Sequence, residues 1–212
     1  MEFDLAMTDE LLATTRSVRK RLDLDKPVPR QIIEDCVALS QQAPTGTNSQ
    51  TWRWVVVEDQ AKRDAIADAY RKMAGPYLEA QGKMAADAGD SQTVRVLDSA
   101  VFLAENLQNV PVHVIPCLQG RPPEGTPVMG MAAMMASIFP AVWSFQIALR
   151  ARGLGSCLTS LHLAHEKDVA ELLGIPDDVM QVALLPVAYT KGTDFKRAKR
   201  PAPSTIIHYD TW

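Results

Sequence analysis

One globular domain of mixed helices and strands, spanning residues 1–212, is predicted by three observations. Apolar residues recur at helical spacing in several long stretches, among them 29–39, 59–73, 94–107 and 128–149. Between these lie short runs of β-forming residues, Val55-Val56-Val57, Val112-His113-Val114-Ile115 and Val179 to Val187. The 212 residues are 47% hydrophobic and 22% charged, which suits a single domain with a large core.

The formal net charge of −3 argues against affinity for nucleic acid through a broad basic surface. Cys36, Cys117 and Cys157 are far apart, and no pair has zinc or redox-motif spacing. Reduced, buried thiols in a reducing compartment are expected. Met1-Glu2-Phe3-Asp4 has no basic stretch and no apolar run, so no secretory signal is expected and the location expected is cytoplasmic.

Taken in order, Thr8 is expected to cap a short helix through Leu11 and Leu12. Arg16-Ser17-Val18-Arg19-Lys20-Arg21 then packs four cations into six residues. If extended, it turns Val18 inward and Ser17 and Arg19 outward. Two readings fit: guanidinium groups holding a phosphorylated ligand, or a solvated basic patch. Pro29 is expected to open a helix carrying Ile32, Ile33, Cys36, Val37 and Leu39. That helix should stop before Pro44.

The stretch Ala43 to Trp54 (Ala-Pro-Thr-Gly-Thr-Asn-Ser-Gln-Thr-Trp-Arg-Trp) organises the rest. Gly46 is expected to turn the chain with positive φ. Thr45, Thr47, Asn48, Ser49 and Gln50 crowd hydroxyls and amides together. They suit either a loop lining a polar, ring-bearing ligand or a capped helix–strand connection.

A helix over 59–73 should end at Gly75-Pro76. Tyr77 to Gln92 then reads as a separate helical, peripheral segment with the character of a lid. His113 reads as a hydrogen-bonded sheet residue. Val128 to Leu149 is 22 residues without a charge, long enough to span a bilayer. Its Ala, Met, Gly and Ser content, Gln146 and Pro140 favour instead a helix buried on all sides, centrally or between subunits. Gly153 should cap it. Gly153-Leu154-Gly155-Ser156-Cys157-Leu158-Thr159-Ser160 lacks the third glycine of a dinucleotide-binding turn. His162 and His165 make a two-ligand set at most, so no metal is expected. Val179 to Val187 reads as one central strand. The tail carries Lys196, Arg197, Lys199 and Arg200 beside Pro201 and Pro203, and ends in a strand-like stretch, Ile206 to Trp212.

The Arg-Ser-x-Arg motif, the helix after it and the Ala-Pro-Thr-Gly-Thr-Asn-Ser-Gln-Thr-Trp loop together resemble the FMN-dependent nitroreductase family. The Gly-Leu-Gly-Ser segment and the basic tail before proline extend the resemblance from Thr15 to Trp212. Gln50-Thr51-Trp52 departs from the family's Gln-Pro-Trp. The resemblance implies an α+β fold with a central, mostly antiparallel sheet wrapped by helices, in an intertwined homodimer with FMN at the subunit interface. It implies that Arg16, Ser17 and Arg19 hold FMN, and that Pro44, Thr45, Gly46 and Asn48 reach it from the other subunit. Thr159 and Ser160 would run along the flavin ring, with the Ser160 N–H toward N5. Arg197 and Lys199 would meet the phosphate.

The activity implied is ping-pong reduction of a small-molecule acceptor, such as a nitroaromatic or quinone, with NADH or NADPH as donor. The flavin carries the redox chemistry, so no catalytic side chain is required. Three other readings stand beside it: a dehalogenase or flavin-consuming superfamily member, a non-catalytic flavin-binding protein, and a membrane-anchored protein using 128–149.

Overall fold

The computed structural model describes residues 2–212. Its architecture is α+β, as the resemblance implied. Helices α1 (Leu5–Thr14), α2 (Arg30–Ser40), α3 (Gln60–Asp87), α4 (Ser91–Asn106), α5 (Val128–Ala151) and α6 (Glu166–Leu173) surround one sheet. Its strands are β1 (Trp52–Val57), β2 (Val112–Gln119), β3 (Leu154–Ser156), β4 (Val179–Gln181) and β5 (Leu185–Tyr189). The order is β1-β2-β5-β3, with β4 also on β2, and every ladder is antiparallel.

Alternation along the strands sorts the apolar side chains into two cores. Ile115, Cys117, Leu184 and Ala188 join Ile66, Tyr70, Leu78 and Leu103 under α3 and α4. Val112, Val114, Leu118, Leu185 and Val187 join Ile33, Ile138, Val142 and Phe145 under α2 and α5. Three layers result, with the sheet in the middle.

Several expectations are corrected. The first helix begins earlier than Thr8, because Asp4 caps it by accepting the Met7 N–H at 3.0 Å. Pro29 stands just before α2 as its cap residue. Gly75-Pro76 does not end α3, which runs unbroken to Asp87. Pro76 forfeits one backbone bond, and Gly75 removes the side chain that a following proline would crowd. Ala69, Tyr70, Ala74, Leu78 and Ala85 keep one face buried across the site, and that burial holds the helix together. Tyr77 to Gln92 is therefore mostly a continuation of α3. The break falls at Gly89, with φ of 67°, where Asp90 accepts the Gln92 and Thr93 N–H groups to start α4.

Val179 to Val187 is two strands. Pro116 explains the break: its carbonyl accepts Val182 N–H at 3.0 Å, but it has no N–H to return. β4 pairs with β2 beyond Pro116 and β5 pairs before it. α5 is buried along its second half, through Ser137, Ile138, Ala141, Val142, Phe145, Gln146, Ala148 and Leu149. Its first turn is open, with Val128 85% and Met129 83% exposed, so within the chain it is not covered on all sides. Ile206 to Trp212 forms no strand. It follows a 3-10 turn at Pro203–Thr205, lies exposed and stacks His208 on Trp212. Alone it has no neighbouring strand to satisfy its backbone groups.

The connection from α2 to β1 is strained. Gly46 does not take positive φ; Thr47, Asn48 and Gln50 do, at 51°, 54° and 48°. For a β-branched residue such as Thr47 this conformation is costly. Thr47→Gly should raise stability by about 0.5–1 kcal/mol, the relief of strain less glycine's chain-entropy cost. The check is the thermal midpoint, and a fall would mean that the Thr47 hydroxyl bond to the Gly46 carbonyl outweighs the strain.

His113 and His162 are both buried. His113 donates Nε2–H to the Leu107 carbonyl at 2.8 Å, as a sheet residue should. Both nitrogens of His162 lack a hydrogen-bond partner among the described residues. Burial pushes both imidazoles down to about 4 from 6.5. The unfolded chain therefore takes up protons first, and stability is lost as pH falls from 6.5 toward 4. The urea midpoint should drop steadily across that window, and His162→Gln should flatten the slope. An unchanged slope in that variant would refute the assignment to His162.

Candidate cofactor-binding site

The site is built where the chain after α1 meets β3. Ser17 pairs with Ser156 in a parallel bridge, and Val18 N–H donates to the Ser156 carbonyl at 2.9 Å. Val18 is buried, Ser17 is exposed and Arg19 is half-buried, the alternation expected of an extended segment. Gly155 makes this approach possible. A Cβ there would lie 2.8 Å from the Val18 and Thr190 side chains. Gly153, with φ of 75°, turns the chain from α5 into β3. The Gly-Leu-Gly run thus serves a turn and a tight packing contact.

Of the four cations in this segment, Lys20 is exposed and the three arginines have different fates. Arg16 is exposed and donates Nη1–H to the Lys196 carbonyl at 2.8 Å, which brings the basic tail alongside. Arg19 donates to the Ser99 hydroxyl of α4 at 3.3 Å. Arg21 is structural. It pairs with Asp194 at 2.6 Å and covers the Phe195 ring at 4.2 Å. Arg197 pairs with Glu10 of α1 at 3.2 Å, whereas Lys199 stands exposed.

The chain continues from β3 through Cys157 to Thr159 and Ser160. Burial pushes the Cys157 thiol up, with Arg19 and Ser17 close enough to oppose the shift. It is a buried neutral thiol, poorly suited to act as a nucleophile. Thr159 exchanges both backbone bonds with Leu184, at 3.0 and 2.7 Å. Its hydroxyl meets the Tyr70 hydroxyl of α3 at 3.1 Å. Ser160 is exposed, and its N–H has no acceptor among the described residues. Arg16, Ser17, Arg19, Thr159 and Ser160 therefore gather around one sheet edge, with Arg197 reached through α1.

Pro44, Thr45, Gly46 and Asn48 lie elsewhere, against α5. Gly46 N–H donates to the Ser137 hydroxyl at 3.2 Å, and Trp52 Nε1–H to the Ser137 carbonyl at 2.7 Å. Part of the loop's polarity is spent internally. The Thr45 hydroxyl accepts Gln50 N–H at 3.2 Å, and the Asn48 side-chain oxygen accepts from the Gln50 amide at 2.9 Å. No hydrogen bond joins this loop to the Arg16–Arg19 segment among the described residues. A Cβ at Gly46 would meet only Ser137 within 4 Å, at 3.6 Å, so the position leaves open space beside it.

His162 is buried, whereas the half-buried His165 meets Asp168 at 3.2 Å. The sequence assigns Tyr70, Ser99 and Gln146 no place in the site. Each contacts a predicted site residue or its strand, Gln146 through the Ser156 hydroxyl at 3.0 Å. Only the polarity of Gln146 in an otherwise apolar helix carried a signal.

Comparison with known proteins bears on the fold and the family. The nitroreductase family model matches residues 12–189. The chain is 24% identical over 204 residues to an iodotyrosine deiodinase of Thermotoga neapolitana, covering 95% of this chain and 97% of that protein. It is 27% identical over 188 residues to a 5,6-dimethylbenzimidazole synthase of Rhodospirillum rubrum, covering 86% and 82%. Its fold matches that of an FMN-dependent nitroreductase from Mycobacterium smegmatis in complex with NADPH, with a TM-score of 0.69 at 18% identity over 98% of this chain and all of the other. The protein belongs to the nitroreductase family.

Proposed function

We propose that the chain is a single FMN-binding domain over residues 1–212 and works as a two-electron oxidoreductase. The observation that carries this reading is the grouping of Arg16, Ser17, Arg19, Thr159 and the free Ser160 N–H at one sheet edge. Those groups fit the flavin. Exposed guanidinium and hydroxyl groups suit its phosphate and ribityl chain, and an unspent N–H suits its N5 edge. Lys199, and Arg197 if it leaves Glu10, would add charge at the phosphate. Bound FMN would supply hydride and electron transfer. The chain's part is to hold it, to place a donor where negative charge develops, and to leave one face open.

A second copy completes the site in this reading. The exposed apolar start of α5 lies on the same helix as Ser137, which anchors Gly46. A homodimer formed there would bring Pro44, Thr45, Gly46 and Asn48 to the partner's flavin. The exposed tail would join the partner as well. With FMN held there, NADH or NADPH would be the hydride donor and a nitroaromatic or quinone the acceptor, each meeting the flavin in turn on the face the chain leaves open.

A second reading, reductive dehalogenation, is favoured by likeness to the deiodinase along nearly the whole of both chains. There a carbon–halogen bond takes two electrons and a proton, giving a carbon–hydrogen bond and halide.

The test is an anaerobic absorbance spectrum of the purified protein with added FMN. Bleaching by NADH or NADPH and recovery with a nitroaromatic is the expected outcome. Recovery with 3-iodotyrosine and iodide release, without recovery by the nitroaromatic, would select the second reading. A bound flavin that neither donor bleaches would leave a binding protein without turnover. For the assembly, Met129→Glu should yield a monomer by sedimentation, with FMN affinity lowered at least tenfold. A dimer of unchanged affinity would refute the α5 interface.

A further inference from the structure

Tyr70 sits in the middle of α3, 2% exposed, with its ring in the core and its hydroxyl at the Thr159 hydroxyl. Burial pushes its phenol up, and Thr159, Cys157 and Arg19 all lie close enough to act on it. A buried tyrosine hydroxyl needs a partner, and here the partner is a residue of the proposed site.

Thr159 is held at three points. Its N–H and carbonyl are bonded to Leu184, and its side chain to Tyr70. The following peptide carries the N–H of the exposed Ser160, which has no acceptor among the described residues. Backbone bonds to Leu184 hold Thr159 and its carbonyl in the plane of the sheet, and the planar peptide that follows carries the Ser160 N–H opposite that carbonyl. These bonds resist tilt of the edge strand out of the sheet plane least, and the hydroxyl pair at 3.1 Å opposes that tilt from the α3 side.

We propose that Tyr70 is a positioning residue: by holding the Thr159 side chain it aims the Ser160 N–H at the flavin. This rests on the FMN reading above. A donor fixed in direction favours the form of the ligand that carries more negative charge, because no reorganisation is needed when the charge arrives. Loss of the hydroxyl should therefore weaken reduced FMN more than oxidised FMN. A packing role for Tyr70 would weaken both alike.

The experiment measures dissociation constants of oxidised FMN and of dithionite-reduced FMN for the full-length protein and four variants. In Tyr70→Phe, which keeps the ring, the preference for reduced over oxidised FMN should fall about tenfold, or about 30 mV for a two-electron couple. Thr159→Val should give the same loss from the other side of the pair, which tests the link even if Tyr70→Phe folds poorly. Thr159→Ser, which keeps the hydroxyl, should preserve the preference. The double variant Tyr70→Phe/Thr159→Val should lose no more than either single one. A preference unchanged in Tyr70→Phe, or losses that multiply in the double variant, would overturn the positioning role alone. No FMN uptake by the unaltered protein would overturn both this role and the cofactor reading beneath it.

Discussion

The close approach of the Arg16–Arg19 segment to β3 is the contact on which the candidate site depends. It is possible because residue 155 has no side chain: a Cβ there would press into Val18 and Thr190 at 2.8 Å. Side chains of folded proteins do not tolerate contacts that short, so the segment would have to lift away. With Gly155 in place, Val18 seals the interior and its neighbours turn outward as a polar row. The same short strand is tied to α5 by Gln146 and Ser156, and the tail is drawn in by Arg16 through Lys196. One missing methyl group thus lets the Arg16–Arg19 segment close on β3, which is itself tied to α5, and brings the tail alongside.

The sheet supplies the rigid frame behind this contact. Its two faces feed separate cores, one under α3 and α4 and one under α2 and α5. α3 and α4 each reach past their core to touch a site residue, by Tyr70 to Thr159 and by Ser99 to Arg19. α5 works differently: half of it is core and its first turn is open apolar surface. A helix uncharged along nearly its whole length satisfies both demands, which is why composition alone made it resemble a membrane span.

Much of the site was legible where local rules govern. The alternation of Ser17, Val18 and Arg19 follows from extended geometry, and the turn at Gly153 from a backbone only glycine adopts readily. The role of His113 follows from its place in an apolar run. Illegible were features that depend on distant partners. α3 passes through Pro76 because its buried face spans the proline, which no local propensity records. Val179 to Val187 breaks because Pro116, over sixty residues earlier, cannot donate a backbone bond at that register. The strain in the α2–β1 loop falls on Thr47, Asn48 and Gln50 while the glycine beside them stays unstrained, because contact with Ser137 sets that loop's path.

By itself the sequence determined most of the helices and strands and the family-like motifs, since these depend on residues within a few positions of one another, but not the open first turn of α5 or the strandless tail. Tertiary structure alone decided which motifs meet. Arg16 to Arg19 and Thr159 to Ser160 converge, separated by more than a hundred residues, while Pro44 to Asn48 stays apart on α5. Contacts between distant segments are set by packing of whole faces and by which backbone groups remain unpaired. Neither quantity exists until the chain has closed on itself.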